Sequence, residues 1–373
     1  MRIAINTRFL LPHKMEGFGW YTYEIVQRIV KNHPEHEFFF FFDRPFDEKF
    51  IFSDNVTPIV LYPPARHPFL FYAWFEFSVK RALKKHKIDL FFSPDGYLSL
   101  KTNIPQINTI HDINFEHNPE DLTWISQKYY RRFFPKFAKK AQHILTVSDY
   151  SKQDIVKMYG ISPDKITVIW NGASAIFKPI STEEKIAVRK KYSAGKNYFL
   201  FVGALSPRKN VKRLVEAFAL FKKNNPENDT QLVIVGEELW SNANNGISID
   251  DRIKEQIHFT GHIPLQQLAK IMASATLFTY VPYFEGFGIP LVEAMKCGTP
   301  ILSGNLTSLP EVSGDAAIYC DPFNTVEIAQ RMTELSGNST LLEELSVKGL
   351  ERSALFSWDT TAEKVWEVLK SYL

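Results

Sequence analysis

Short apolar runs alternate with amphipathic stretches along the chain. Ile3–Asn6, Glu37–Phe42, Leu90–Ser93, Gln106–His111 and His143–Val147 read as strands, and Ile166–Ile169, Tyr198–Val202, Gln231–Val235, Ile257–Thr260, Ala275–Val281 and Thr299–Ser303 follow. Helical patterns separate many of them, as in Val211–Lys223, where Val211, Leu214, Val215, Phe218 and Phe221 share one face. Strand–helix alternation predicts α/β architecture with parallel sheets. Eleven strands are too many for one such sheet in 373 residues. Two Rossmann-like, doubly wound domains fit better, and the Asn171-Gly172 turn and Pro179 mark the break. The expected domains are residues 1–175 and 176–356, with a final helix at about 357–373.

Composition narrows the class. Hydrophobic residues make up 45% and charged residues 23%, which excludes a disordered or collagen-like chain. Cys297 and Cys320 form no CxxC pair, which suits a reducing compartment. The net charge of +3 is too small to demand nucleic acid, but it is unevenly spread. Residues 1–175 hold 23 Lys and Arg against 18 Asp and Glu, and the remainder 21 against 23. A basic first half points to an acidic or membrane-bound partner. No run approaches the roughly 18 apolar residues of a membrane helix, and Met1 leads straight into a strand without room for a leader. The expected location is cytoplasmic.

The most informative motif is Glu285-Gly-Phe-Gly-Ile-Pro-Leu-Val-Glu293. It follows a predicted strand, and Pro290 suits the first turn of a helix. Gly286 and Gly288 let backbone N–H groups approach a ligand at the positive helix end. Glu285 in the loop and Glu293 in the expected first helical turn are acceptors suited to the paired hydroxyls of a sugar or ribose. A second motif runs from Gly203 to Arg208-Lys209-Asn210, where two cations precede a helix. They would neutralise a pyrophosphate, or equally form a solvated loop.

Two N-terminal signals are less specific. Gly17-Phe-Gly19 permits close backbone approach at a helix start but lacks the third glycine of a dinucleotide fingerprint, so a plain tight turn fits equally. His111-Asp112 is either a sugar-hydroxyl contact or a buried, mutually satisfied pair. No Asp-x-Asp, HExxH, Walker A or GxSxG motif is present, so no metal site is expected.

Together these motifs resemble the retaining glycosyltransferase family 4, the group 1 glycosyltransferases of GT-B fold, most strongly over Tyr198–Pro322. Phe259-Thr-Gly-His-Ile263, Gly298-Thr-Pro300, Ser308-Leu-Pro-Glu-Val312 and Gly314-Asp-Ala-Ala317 add to the resemblance, as do Thr146-Val-Ser148 and Phe356-Ser-Trp358. It implies two domains facing across a cleft, the first on the acceptor side, with the last helix crossing back to it. It also implies that Glu285 contacts the donor sugar, that Glu293 holds the ribose, and that Arg208 and Lys209 hold the diphosphate and stabilise the leaving group. Phe287, Gly288 and Ile289 would present backbone N–H groups, and Ile263 would flank the base. His111 would touch the transferred sugar, and Gly17 or Gly19 would close over the phosphates.

The implied reaction is metal-independent hexose transfer with retention, needing no cofactor beyond the nucleotide sugar. The Ser308–Val312 stretch resembles mannosyltransferase members and favours GDP-mannose, with UDP-sugars open. The expected acceptor is a glycan or a lipid-linked glycan in polysaccharide or glycoconjugate synthesis. Residues 66–87 hold six cations, one acid and interleaved aromatic residues, and 128–140 hold six cations and no acid. Both suit peripheral contact with an anionic membrane, or are ordinary amphipathic helices. The rival readings are an inactive sugar-nucleotide-binding protein of the same fold and an epimerase acting on the nucleotide sugar.

Overall fold

The computed structural model describes residues 1–12, 15, 17–237 and 251–373. The described chain divides into two compact units, residues 1–172 with 357–373, and residues 173–356.

In the first unit seven strands form one parallel sheet. They are β1 (Arg2–Asn6), β2 (Glu37–Phe42), β3 (Val56–Val60), β4 (Leu90–Ser93), β5 (Gln106–Thr109), β6 (His143–Thr146) and β7 (Ile166–Val168), in the order β3-β2-β1-β4-β5-β6-β7. Around it run α1 (Gly17–Asn32), α2 (Pro68–Ala73), α3 (Lys80–Lys85), α4 (Asn114–His117), α5 (Trp124–Lys140) and α6 (Asp149–Tyr159). A wider π-helical stretch, Trp74–Val79, joins α2 to α3. Parallel strands covered on both faces need apolar side chains at every position, not at alternate ones. That accounts for Phe38–Phe42, five consecutive phenylalanines at most 5% exposed, each contributing about 1.5–3 kcal/mol by burial.

The second unit holds six parallel strands, β8 (Tyr198–Val202), β9 (Gln231–Val235), β10 (Ile257–Gly261), β11 (Leu277–Tyr280), β12 (Ile301–Gly304) and β13 (Ala317–Cys320), in the order β10-β9-β8-β11-β12-β13. Its helices are α7 (Thr182–Tyr192), α8 (Val211–Asn224), α9 (Leu265–Ser274), α10 (Ile289–Lys296), α11 (Leu309–Ser313), α12 (Thr325–Ser336) and α13 (Ser339–Ser353). The last helix, α14 (Trp358–Lys370), belongs to the first unit. There the Thr361 hydroxyl donates to the Trp170 carbonyl at 2.7 Å, and Trp366 stacks on His33 of α1 at 4.0 Å. A Cβ at Gly172 would lie 2.3 Å from the Trp358 nitrogen, so only glycine admits this packing.

Two strands go beyond the eleven read from the sequence, and both are edges. β3 carries Pro58, which breaks a strand pattern in sequence; at a sheet edge its missing N–H is harmless because one side has no partner strand. β13 is only four residues long and follows the short helical turn Gly314–Ala316.

Candidate functional site

Parallel sheets place ligands beyond the carboxyl ends of their strands. In the second unit the adjacent strands β8 and β11 deliver two loops to that edge. The loop after β8 passes Gly203 and makes a short turn, Pro207–Lys209, which Asn210 ends at φ 61° before α8 begins. The loop after β11 runs to Gly288, whose φ of 98° turns the chain into α10. Glycine takes this left-handed conformation without the strain another residue would incur.

The two loops are tied together. The Tyr283 N–H donates to the Arg208 carbonyl at 3.0 Å, and the Asn210 amide donates to the Val281 carbonyl at 2.9 Å and the Pro322 carbonyl at 2.7 Å. The sequence-read residues Arg208, Lys209 and Glu285 meet here. Arg208 Nη1 lies 2.8 Å from Glu285 Oε1, and Lys209 Nζ is ion-paired with the same oxygen. Lys209 Nζ also donates to the Tyr280 hydroxyl at 2.6 Å, which in turn donates to Glu285 Oε1 at 3.1 Å. The Glu285 N–H donates to the Thr307 hydroxyl at 3.3 Å. The Ser308 hydroxyl faces the Glu285 and Phe287 carbonyls at 2.9 and 3.1 Å, so both residues hold the loop by its backbone.

Burial alone would raise the carboxyl pKa of Glu285, but Arg208 and Lys209 outweigh it and hold the group below the ordinary glutamate range. Glu293 behaves oppositely: burial pushes its carboxyl up to about 7. Tyr280 is fully buried, and that burial, reinforced by the charge of Glu285, raises its phenol well above the usual value.

Phe287, Gly288, Ile289 and Glu293 continue from the same loop into α10, where Pro290 has no N–H and the Leu291 N–H donates to the Gly288 carbonyl at 2.9 Å, so that the Ile289 N–H is the one in the first turn without an acceptor in the helix. Glu293 is the fifth residue of α10 and so stands in the second turn rather than the first, because the helix starts directly after Gly288. Gly203 lies beside the Lys209 stem, 3.7 Å from a Cβ position. Ile263 lines a surface depression with Tyr192, Phe259, Thr260 and Gln267, at the edge strand β10, rather than among the charged groups.

In the first unit β5 ends at Thr109, two residues short of the strand read from the sequence, so His111 stands in the following loop. Its Nε2 lies 2.8 Å from the Pro94 carbonyl. A carbonyl only accepts, so the proton is on Nε2 and Nδ1 is the acceptor. Burial lowers the imidazole pKa and keeps the ring neutral near pH 7. The hydrogen bond goes to Pro94, and Asp112 accepts from the Asn114 N–H, which answers the alternative of a closed His–Asp pair. Gly17 and Gly19 lie in the first turn of α1, where the intervening Phe18 ring packs edge-on against His111 at 4.9 Å. A Cβ at Gly19 would meet the Phe9 carbonyl at 2.6 Å, whereas Gly17 is open. Among the described residues no group of three or more His, Cys, Asp or Glu is disposed to hold a metal ion, and no helix is long and apolar enough to cross a membrane.

Sequence reasoning missed Tyr280, Thr307 and Ser308 as parts of this site. Only Ser308 carried a signal, as the start of a stretch shared with family members.

Comparison with known proteins identifies the family and the fold. Residues 182–352 match the model for glycosyl transferases group 1, and residues 15–175 match that for Glycosyltransferase Family 4. The O-antigen chain mannosyltransferase B of Escherichia coli is 28% identical over 365 residues, covering 94% of each chain. Among solved structures, sucrose-phosphate synthase from Thermosynechococcus elongatus superposes with a TM-score of 0.79 at 18% identity, over 99% of this chain and 98% of the other. HepE of Anabaena, in complex with UDP and glucose, gives 0.76 at 18% identity over 99% of both chains. The fold is GT-B.

Proposed function

For a chain that belongs to the group 1, family 4 glycosyltransferases and is a hexosyltransferase, we propose metal-independent transfer of mannose from GDP-mannose to a glycan or lipid-linked glycan, with retention of configuration. The observation that carries the reading is the Arg208–Lys209–Glu285 cluster at the carboxyl ends of β8 and β11, beside the start of α10. Arg208 and Lys209 supply the positive charge that a departing nucleoside diphosphate needs, where other enzymes use a metal ion. Glu285 accepts from the sugar hydroxyls and Glu293 from the ribose. The backbone N–H groups of Phe287, Gly288 and Ile289 face the phosphates or sugar. Neutral His111, with Nδ1 as acceptor, receives a hydrogen bond from a hydroxyl of the transferred hexose. Gly17 and Gly19 border the phosphates at the start of α1, and Ile263 flanks the base.

The acceptor hydroxyl oxygen bonds to C1 of the hexose from the leaving-group face as the C1–O bond to the diphosphate breaks through an oxocarbenium-like transition state, and the hydroxyl proton passes to the departing diphosphate oxygen. A covalent intermediate on Glu285 is the competing course. Mannose as the transferred sugar draws on the similarity to the Escherichia coli O-antigen mannosyltransferase. UDP-hexose is the competing donor.

Incubation with GDP-mannose, UDP-glucose and their free nucleotides, followed by NMR of the products, tests the proposal. Transfer or slow donor hydrolysis that persists in EDTA is expected. An epimerised donor would identify an epimerase, and nucleotide binding without turnover an inactive binder.

We also propose that the first unit works against an anionic bilayer on the cytoplasmic side. Phe77, Lys80, Arg81 and Lys84 recur on one exposed face, and the one acid in this segment, Glu76, is buried and accepts the Leu100 and Lys101 N–H groups at 2.7 and 3.0 Å. Tyr72 packs against Phe133 of α5 at 5.8 Å, which joins this face to the basic face of α5. The exposed rings of Phe77 and Trp124 can enter the interfacial layer, and each nearby cation adds about 1 kcal/mol. Salt-sensitive cosedimentation with phosphatidylglycerol vesicles, reduced by charge reversal at Arg81 and Lys84, is expected. Equal binding to neutral vesicles would count against it.

A further inference from the structure

Glu285 holds its cations in an arrangement that leaves no capacity on one oxygen. Oε1 is bound at once by Arg208 Nη1, Lys209 Nζ and the Tyr280 hydroxyl, whereas a carboxylate oxygen has about two lone-pair sites. A sugar hydroxyl reaches this atom only when a donor leaves it. The three partners also differ in access. The Arg208 side chain is 31% exposed and that of Lys209 only 11%, so an incoming anion meets Arg208 first.

We propose that the Glu285 carboxylate is an internal stand-in for the donor's diphosphate, pairing with Arg208 and Lys209 until the diphosphate takes both cations and releases it. This rests on the reading of Arg208 and Lys209 as the diphosphate site. Two features equip the site for the exchange. The backbone of Glu285 is pinned through Thr307 and Ser308, so only side-chain torsions have to change. The Tyr280 hydroxyl, 2.6 Å from Lys209 Nζ, keeps the ammonium aimed and hydrogen-bonded when the carboxylate withdraws. The stand-in makes the sugar contact of that oxygen of Glu285 conditional: Oε1 becomes available to a hexose hydroxyl only once a diphosphate is in place.

The test is calorimetric titration of inorganic pyrophosphate into the full chain at pH 8, for wild type, Glu285→Gln and Glu216→Gln. Without a competing carboxylate, Glu285→Gln binds pyrophosphate about tenfold more tightly than wild type, as expected for a charge-assisted hydrogen bond. Glu216→Gln, a similar loss of charge on the exposed face of α8, changes affinity by less than about threefold. Unchanged or weaker binding by Glu285→Gln, with wild type binding normally, overturns the stand-in and leaves the diphosphate site standing. Absence of binding in all three proteins removes the diphosphate site and the proposed function with it. Because Gln removes one ion-pair partner of Lys209, the variant is also read by thermal shift. Pyrophosphate raises its melting temperature more than that of wild type, and an equal rise overturns the proposal.

Discussion

Each sheet carries an arginine–carboxylate pair at the same topological position, and the two differ in exposure. In the first unit Arg8 follows β1 and Asp95 follows its neighbour β4; in the second Arg208 follows β8 and Glu285 follows its neighbour β11. Both pairs are close, 2.6 and 2.8 Å. Arg8 is 3% exposed and enclosed by the rings of Phe9, Phe71, Phe75 and Tyr97, and Asp95 accepts further from the Asn6 amide and the Ser93 hydroxyl. Every strong interaction there is spent within the protein. Arg208 instead keeps a third of its side chain at the surface, and its partner shares a helix start with the N–H groups of α10. The same ion pair at the same edge is a structural pin when sealed and an exchangeable site when half open.

Breaking the sealed pair should cost most. Asp95→Ala leaves the buried Arg8 guanidinium unpaired and should lower stability by about 3–5 kcal/mol in urea denaturation. A loss below about 1 kcal/mol would show that the enclosure is not what separates the two pairs. Glu293 sharpens the contrast, because burial raises its carboxyl and no cation offsets it. Its neutral form stabilises the fold fully below the ordinary glutamate pKa near 4.5, and this contribution is lost as pH rises through about 7. Glu293→Gln should abolish that loss, leaving the variant up to about 3 kcal/mol more stable than wild type at pH 8 and no different near pH 4. Parallel stability–pH curves for the two proteins would refute it. The smallest effect on stability belongs to the open pair. Arg208→Ala should change it by less than about 1 kcal/mol, yet weaken nucleoside diphosphate binding by about 1.5–3 kcal/mol. Equal diphosphate affinity in the variant would remove Arg208 from the site.

Much of this was legible in the chain, and the parts that were not share a cause. The strands that build both sheets are continuous apolar runs, and Gly288 with Pro290 marks the start of α10. Glu285 was visible because it lies in a local pattern. Tyr280 was not, because its contact with Lys209 spans 71 residues and exists only where β8 and β11 pair. The Pro94 carbonyl that sets the His111 tautomer is a backbone atom on another loop, and no side-chain pattern announces it. Pro58 hid β3, since the same residue disrupts an interior strand and is tolerated at an edge.

The packing of Trp358 on Gly172 has a consequence for biosynthesis. The wall of the first unit formed by Trp358, Trp366 and Leu369, each at most 5% exposed, is encoded after the entire second unit. At roughly 5–20 residues per second, translation of residues 173–356 takes on the order of 10–40 s. The α1 face that α14 covers therefore stays without its partner until the whole of the second unit has been synthesised.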